Sequence, residues 1–119
     1  MIVAVFRRRL KSGATFEDFL QAWQAEKGFG VTARVFNAVR LDDEREILTF
    51  GFVDLESSDL ESAIATVADQ EEVRHSRIDE VIESTQLRGL YELRSEHDLS
   101  STPKEVLLGA AGSLLHGFG

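Results

Sequence analysis

Cysteine is absent from this 119-residue chain, and proline, methionine, tryptophan and tyrosine occur once each. Without thiols there are no disulfides, no zinc ribbon, no thiolate nucleophile and no iron–sulfur ligation. Long apolar runs are also missing. None approaches the roughly 18 residues a membrane-spanning helix needs, and the N-terminus lacks the pattern of a secretory leader. A cytoplasmic location is therefore expected. Basic charge is scarce too: 13 Lys and Arg face 21 Asp and Glu, for a net charge of −8. Residues 1–40 carry 7 basic and 3 acidic side chains, whereas residues 41–99 carry 5 and 17. An acidic chain is a poor partner for nucleic acid or for an anionic membrane. The run Arg7-Arg8-Arg9 does not reverse this, because alternation along a strand sends Arg8 one way and Arg7 and Arg9 the other.

What is present suits one globular domain: 43% apolar and 29% charged residues. Ile2 to Leu10 reads as a strand with Ile2, Ala4 and Phe6 on one face and Val3 and Val5 on the other. After a turn at 11–14, Thr15 is an N-cap with Asp18 at N3, an acidic capping box. Phe16, Phe19, Leu20 and Trp23 follow at helical spacing, and Gly28 and Gly30 are expected to end that helix. Ala33–Leu41 and Ile47–Asp54 read as paired strands around a five-residue loop at 42–46. The second of these is apolar enough to be buried on both faces. Ser58 and Glu61 suggest another capping box, opening a helix that buries Leu60, Ile64 and Val67. The stripe pauses at 68–71 and resumes at Val73, Arg77, Ile78, Val81 and Ile82, which predicts two helical pieces bent near Gln70. Thr85–Ser95 closes the set as a strand.

The order βαββαβ predicts an α+β, ferredoxin-like fold with two helices on one face of a four-stranded antiparallel sheet. The other face is apolar as well, and a lone chain would expose it. A homodimer packed sheet against sheet is the expected remedy. Residues 1–99 form that domain, and residues 100–119 form a separate tail. Thr102-Pro103-Lys104-Glu105 is a helix-start signal, and Val106, Leu107, Ala110, Ala111, Leu114 and Leu115 recur as one stripe. The tail is thus expected to be an amphipathic helix, docked on its own dimer or on another protein, although Gly109, Gly112 and Gly117 each weaken it by about 1 kcal/mol.

The opening strand Ile2–Leu10, the aromatic helix Phe16–Trp23, the paired strands and the bent second helix together resemble the dimeric α/β-barrel superfamily, over residues 1–95. The nearest members are those similar to antibiotic-biosynthesis monooxygenases. That superfamily includes cofactor-free oxygenases, haem-degrading enzymes, lactone isomerases, dehydratases and members of unknown activity, so shared fold leaves the chemistry open. The resemblance implies a cofactor-independent monooxygenase or isomerase acting on an aromatic or polyketide-like molecule. Haem-degrading relatives use a first-strand asparagine and a second-helix histidine. Here the strand position holds Arg7 or Arg9, and the helix slot aligns better with Arg77 than with His75, so a haem-binding or haem-degrading protein is a minority alternative to the oxygenase. In the tail, Gly112-Ser113-Leu114 is similar to the Gly-Ser-Leu core of cargo-loading tails that enter bacterial encapsulin shells, which supports a rival reading as a non-catalytic recruitment module.

Candidate site residues follow from residue chemistry. His75 could be a general base, but Glu71 and Asp79 at i−4 and i+4 equally suit a solvated, paired helix residue. Arg7, Arg9, Arg34, Arg40 and Arg88 lie on strands. Arg7 or Arg9 facing the cleft between sheet and helices would attract an enolate, phenolate or carboxylate. Asn37 and Tyr91 could hydrogen-bond the same ligand, and Trp23 with Phe19 could wall it or simply be core. His97, in Ser95-Glu96-His97-Asp98, has no second histidine at ligand spacing, and His116 is expected to be exposed. No cofactor is expected. No Ser/His/Asp triad can be argued from spacing, and Gly28-Phe29-Gly30 ends a helix rather than opening one, so no phosphate loop is present.

Overall fold

The computed structural model describes residues 1–118. Six of its elements, β1 (Ile2–Leu10), α1 (Phe16–Trp23), β2 (Ala33–Arg40), β3 (Asp43–Val53), α2 (Leu60–Asp79) and β4 (Ile82–Glu92), run in βαββαβ order. The four strands make one antiparallel sheet in the order β2-β3-β1-β4. This is an α+β architecture compatible with the ferredoxin-like arrangement. Among the described residues, no helix is long and apolar enough to cross a membrane.

Direct cross-strand partners share a face, so the register sorts the sheet into two sides. Ile2, Ala4, Phe6 and Arg8 of β1 lie beside Val53, Gly51, Thr49 and Ile47 of β3, on the side the helices cover. Val3, Val5 and Arg7 pair with Phe52, Phe50 and Leu48 on the other. The core occupies one end of the covered side. There Leu10, Phe19, Ile47, Ile78 and Ile82 are buried together, flanked by Phe16, Leu20, Trp23 and Val81. Full burial of each such side chain stabilises by roughly 1.5–3 kcal/mol.

α1 begins as its sequence requires. Thr15 Oγ1 accepts from the Asp18 N–H at 3.1 Å and the Asp18 carboxylate accepts from the Thr15 N–H at 2.9 Å, the reciprocal capping box. It ends earlier than Gly28 and Gly30 suggest, because Gln24 already leaves helical geometry at φ −47°, ψ 129°. No basic residue lies in the last turn of α1. Its terminal carbonyls are instead taken by α2: Arg74 donates to the Trp23 oxygen at 3.2 Å and Arg77 to the Gln24 oxygen at 2.8 Å.

Several expectations need correction. The hairpin turn is Leu41-Asp42, not five residues, and 43–46 belong to β3. Ion pairs make that extension favourable: Arg9 to Asp43 at 2.7 Å, and Arg40 to Asp42 and Glu46 at 2.5 and 3.3 Å. β4 likewise starts at Ile82 and ends at Glu92 rather than spanning 85–95. α2 is one uninterrupted helix with no break at Gln70, since Ala68, Gln70, Glu71 and Glu72 mostly favour helix whether or not their side chains are buried. The Ser58–Glu61 box does not form. Ser57–Asp59 makes a 3-10 turn, and Asp59 precedes α2 without a side-chain cap. Ile64 and Val73 are exposed rather than buried.

The tail is not a helix in the described residues. Lys104–Val106 forms β6, paired antiparallel with β5 (Glu96–Asp98), and turns follow to residue 118. Gly109, Gly112 and Gly117 all adopt positive φ, between 78° and 93°, which interrupts any α-helical ladder. Glu96 then fixes the turns, accepting from Ser113 Oγ at 2.6 Å and from the Leu114 N–H at 3.0 Å.

Candidate functional site

A cleft of about 880 Å³ lies between the sheet and α2, at the opposite end of the covered side from the core. β1 supplies Ile2, Ala4, Phe6 and Arg8 to its wall, because every second residue of a strand shares a face. β2 and β3 add Val35, Thr49, Gly51 and Val53, and α2 adds Val67, Glu71, Arg74 and His75. Gly51 keeps the floor low: a Cβ there would meet Val35 Cγ2 at 3.1 Å. Cavities of this size, apolar with a few convergent polar groups, are the usual form of small-molecule sites.

The polar end is built around Arg8. The residue as a whole is only 4% exposed. The guanidinium carbon sits 4.3 Å from the centre of the Phe6 ring, a cation–π distance. Nη1 donates to Thr49 Oγ1 at 3.5 Å, and Thr49 Oγ1 donates in turn to Asn37 Oδ1 at 2.7 Å. Burial, followed by the nearby Arg74 and Arg88 cations, lowers the Arg8 pKa to about 10. Arg88 enters from β4 directly across from Phe6, with its guanidinium carbon 5.6 Å from the same ring.

His75 stands edge-on to Phe6 with ring centres 5.6 Å apart. Its Nε2 lies 3.3 Å from Glu71 Oε2 yet is buried without an aligned hydrogen-bond partner. Glu71 also accepts from Arg74 Nε and Nη2 at 3.1 and 2.5 Å, a bidentate pair. Burial pushes the Glu71 carboxyl up, but His75 and Arg74 outweigh it and hold the pKa at about 2. Arg74 is paired by this contact, and its guanidinium carbon lies 4.8 Å from the centre of the Trp23 ring. The arrangement offers a fixed anion behind an imidazole, and a buried cation across the same slot. Such a pair can move a proton and stabilise the oxyanion that results.

Of the sequence-derived candidates, the structure brings His75 and Trp23 into the cleft and sets Asn37 behind Thr49. Arg7, Arg9 and Tyr91 are not there. Arg7 and Tyr91 are exposed on the other face of the sheet, while Arg9 pairs with Asp43 and Glu83. The inward cation is Arg8, one residue from both expected positions. Parity already grouped Arg8 with Ile2, Ala4 and Phe6, but two apolar faces left open which one meets the helices. Thr49 had the same signal through Ile47 and Val53. On the cleft side β1 presents Arg8, and the His75 Nε2 faces Glu71. His97 and His116 are exposed, outside the cleft.

No family model, curated protein or solved structure matched this chain in the comparisons made.

Proposed function

We propose that the chain is one protomer of a homodimeric α/β barrel whose cleft binds a small aromatic or polyketide-like molecule and oxygenates or isomerises it without a cofactor. The observation that supports this is the placement of His75 and Arg8 at the polar end of an apolar cleft. In the oxygenation, His75 takes a proton from an activated CH2 of the substrate, and Arg8 stabilises the enolate or phenolate form of the anion. The carbanion adds to O2, the peroxide oxygen is protonated, and loss of water leaves a ketone. One oxygen atom ends in the product and the other in water. In an isomerisation the same proton returns to a different carbon.

The dimer reading is supported by the uncovered face of the sheet. Phe36 and Phe50 stack at 5.3 Å there, Phe52 packs edge-on to Phe50, and Phe36, Leu48 and Tyr91 are exposed. Sedimentation equilibrium should give twice the 13.3 kDa chain mass. Phe50→Lys should return it to the single-chain value. Oxygen uptake with anthrones and quinols tests the chemistry. Wild type and Arg94→Ala should turn over alike, His75→Ala and Arg8→Ala should lose turnover at least about 100-fold, and inactivity of the wild type across the panel would discard the oxygenase.

A second reading, as a recruitment module, is supported by the tail, where Leu114 is 95% exposed and Leu107 is exposed too. Removing residues 100–119 distinguishes them: a recruitment tail leaves melting unchanged and abolishes partner capture, whereas a tail serving its own dimer lowers the melting temperature.

A further inference from the structure

Two cations at the polar end of the cleft, Arg8 and Arg88, have no carboxylate partner among the described residues, whereas Arg74 is paired with Glu71. A guanidinium has five N–H donors, and Arg8 has one hydrogen bond, the 3.5 Å contact to Thr49. Among the described residues, the buried side-chain polar atoms left without a partner are His75 Nε2 and Arg77 Nε, so the remaining Arg8 donors are open to the cleft. Neither Arg8 nor Arg88 has a carboxylate within 4.0 Å among those residues. Glu71 is taken up by Arg74 and His75, and Glu72 and Asp79 line the cleft outside ion-pair range of either cation. A cation this buried is costly unless something pairs with it. Phe6 contributes its ring face, and the rest is left to a ligand.

We infer that the cleft receives an apolar organic molecule bearing a single carboxylate, the carboxylate seated between Arg8 and Arg88 and the body lying along Ile2, Ala4, Val53 and Val67. The inference rests on the cleft being a binding site, as proposed above, and adds the charge of what it takes. A planar carboxylate matches a guanidinium fork, and two cations over one ring hold it from two sides. The apolar walls suit a hydrocarbon body. Inorganic phosphate has no body to bury there.

Calorimetric titration of the full chain with 2-naphthoate and its neutral isostere 2-naphthamide tests this. The carboxylate should bind at least about tenfold more tightly than the amide, as expected for a charge-assisted pair. Arg88→Gln, at an exposed position, should weaken naphthoate about tenfold and naphthamide by clearly less. Arg8→Gln, where its melting curve shows it folded, should abolish the preference. Equal binding of acid and amide, or a preference that survives Arg88→Gln intact, overturns the carboxylate assignment and leaves the cleft a binding site. Binding of neither at millimolar concentration overturns both. Phosphate competing as well as naphthoate would also overturn it, since the apolar body would then contribute nothing.

Discussion

The space between sheet and helices is two environments separated by one side chain. At the packed end, Phe19 and Ile47 are 0% exposed and α1 closes over them. At the open end, α2 runs above Ala4, Gly51 and Val53 without filling the gap, and Ile64 of that helix is exposed. Arg8 marks the boundary, 6.0 Å from the Phe19 ring on one side and 4.3 Å from Phe6 on the other. The difference comes from what each helix carries. α1 concentrates five apolar residues in eight, whereas α2 spreads eight over twenty and turns Arg74, His75 and Glu71 inward. A core needs side chains that interdigitate; a binding site needs the same walls with that filling withheld.

Substitutions at the two ends should therefore separate stability from binding. Phe19→Ala removes the most buried ring and should cost about 3–5 kcal/mol in chemical denaturation. A loss under about 1 kcal/mol would mean that the packed end is not the core. Thr15→Ala deletes the α1 cap and should cost about 1 kcal/mol, read as a lower denaturation midpoint with unchanged slope. Next is the acid limb of Glu71. Its carboxyl sits at about 2 when folded against an ordinary value of 4.5. The folded state therefore binds its proton less readily, so the contribution is present above about pH 4.5 and is lost as pH falls toward 2. Glu71→Gln should flatten stability over that window, and an unchanged pH profile would show that Glu71 contributes no folding energy. Smallest is Ile64→Ala at the open end, expected within about 0.5 kcal/mol of wild type in denaturation. A large loss there would indicate that α2 seals the cleft more tightly than its exposure suggests.

How much of this could be read along the chain varies with the range of the interaction. The Thr15–Asp18 box and the Phe16–Trp23 stripe are local, and both formed where spacing put them. The number and order of the strands in the four-stranded sheet were equally legible from alternation, whereas β5 and β6 were not. The pause in its apolar stripe predicts a broken second helix, but the backbone continues through residues that favour helix regardless of burial. In the tail, pairs of apolar residues every four positions signalled a helix. Three glycines and the carboxylate of Glu96, 17 residues before Ser113, produced a hairpin and turns instead. Around the cleft, residue type and element pointed to His75 and Trp23 in its lining and to Asn37 behind Thr49. Arg8 was missed because parity assigns residues to opposite sides without saying which side is covered.

The chain alone determined the six elements of its βαββαβ core, its net acidity, its lack of thiol chemistry and the grouping of Arg8 with Phe6 on a common face. These follow from periodicity, composition and capping, which act over a few residues. Only the tertiary structure decided that α1 and α2 lie on the Arg8 side, that α2 stands off the sheet, and that Arg8 and Arg88 are left to the cleft without a carboxylate partner among the described residues. Those outcomes depend on which of two apolar faces the helices cover and on contacts between residues 40 or more positions apart, such as Arg8 with Thr49 and Arg74 with Trp23. No local pattern encodes them.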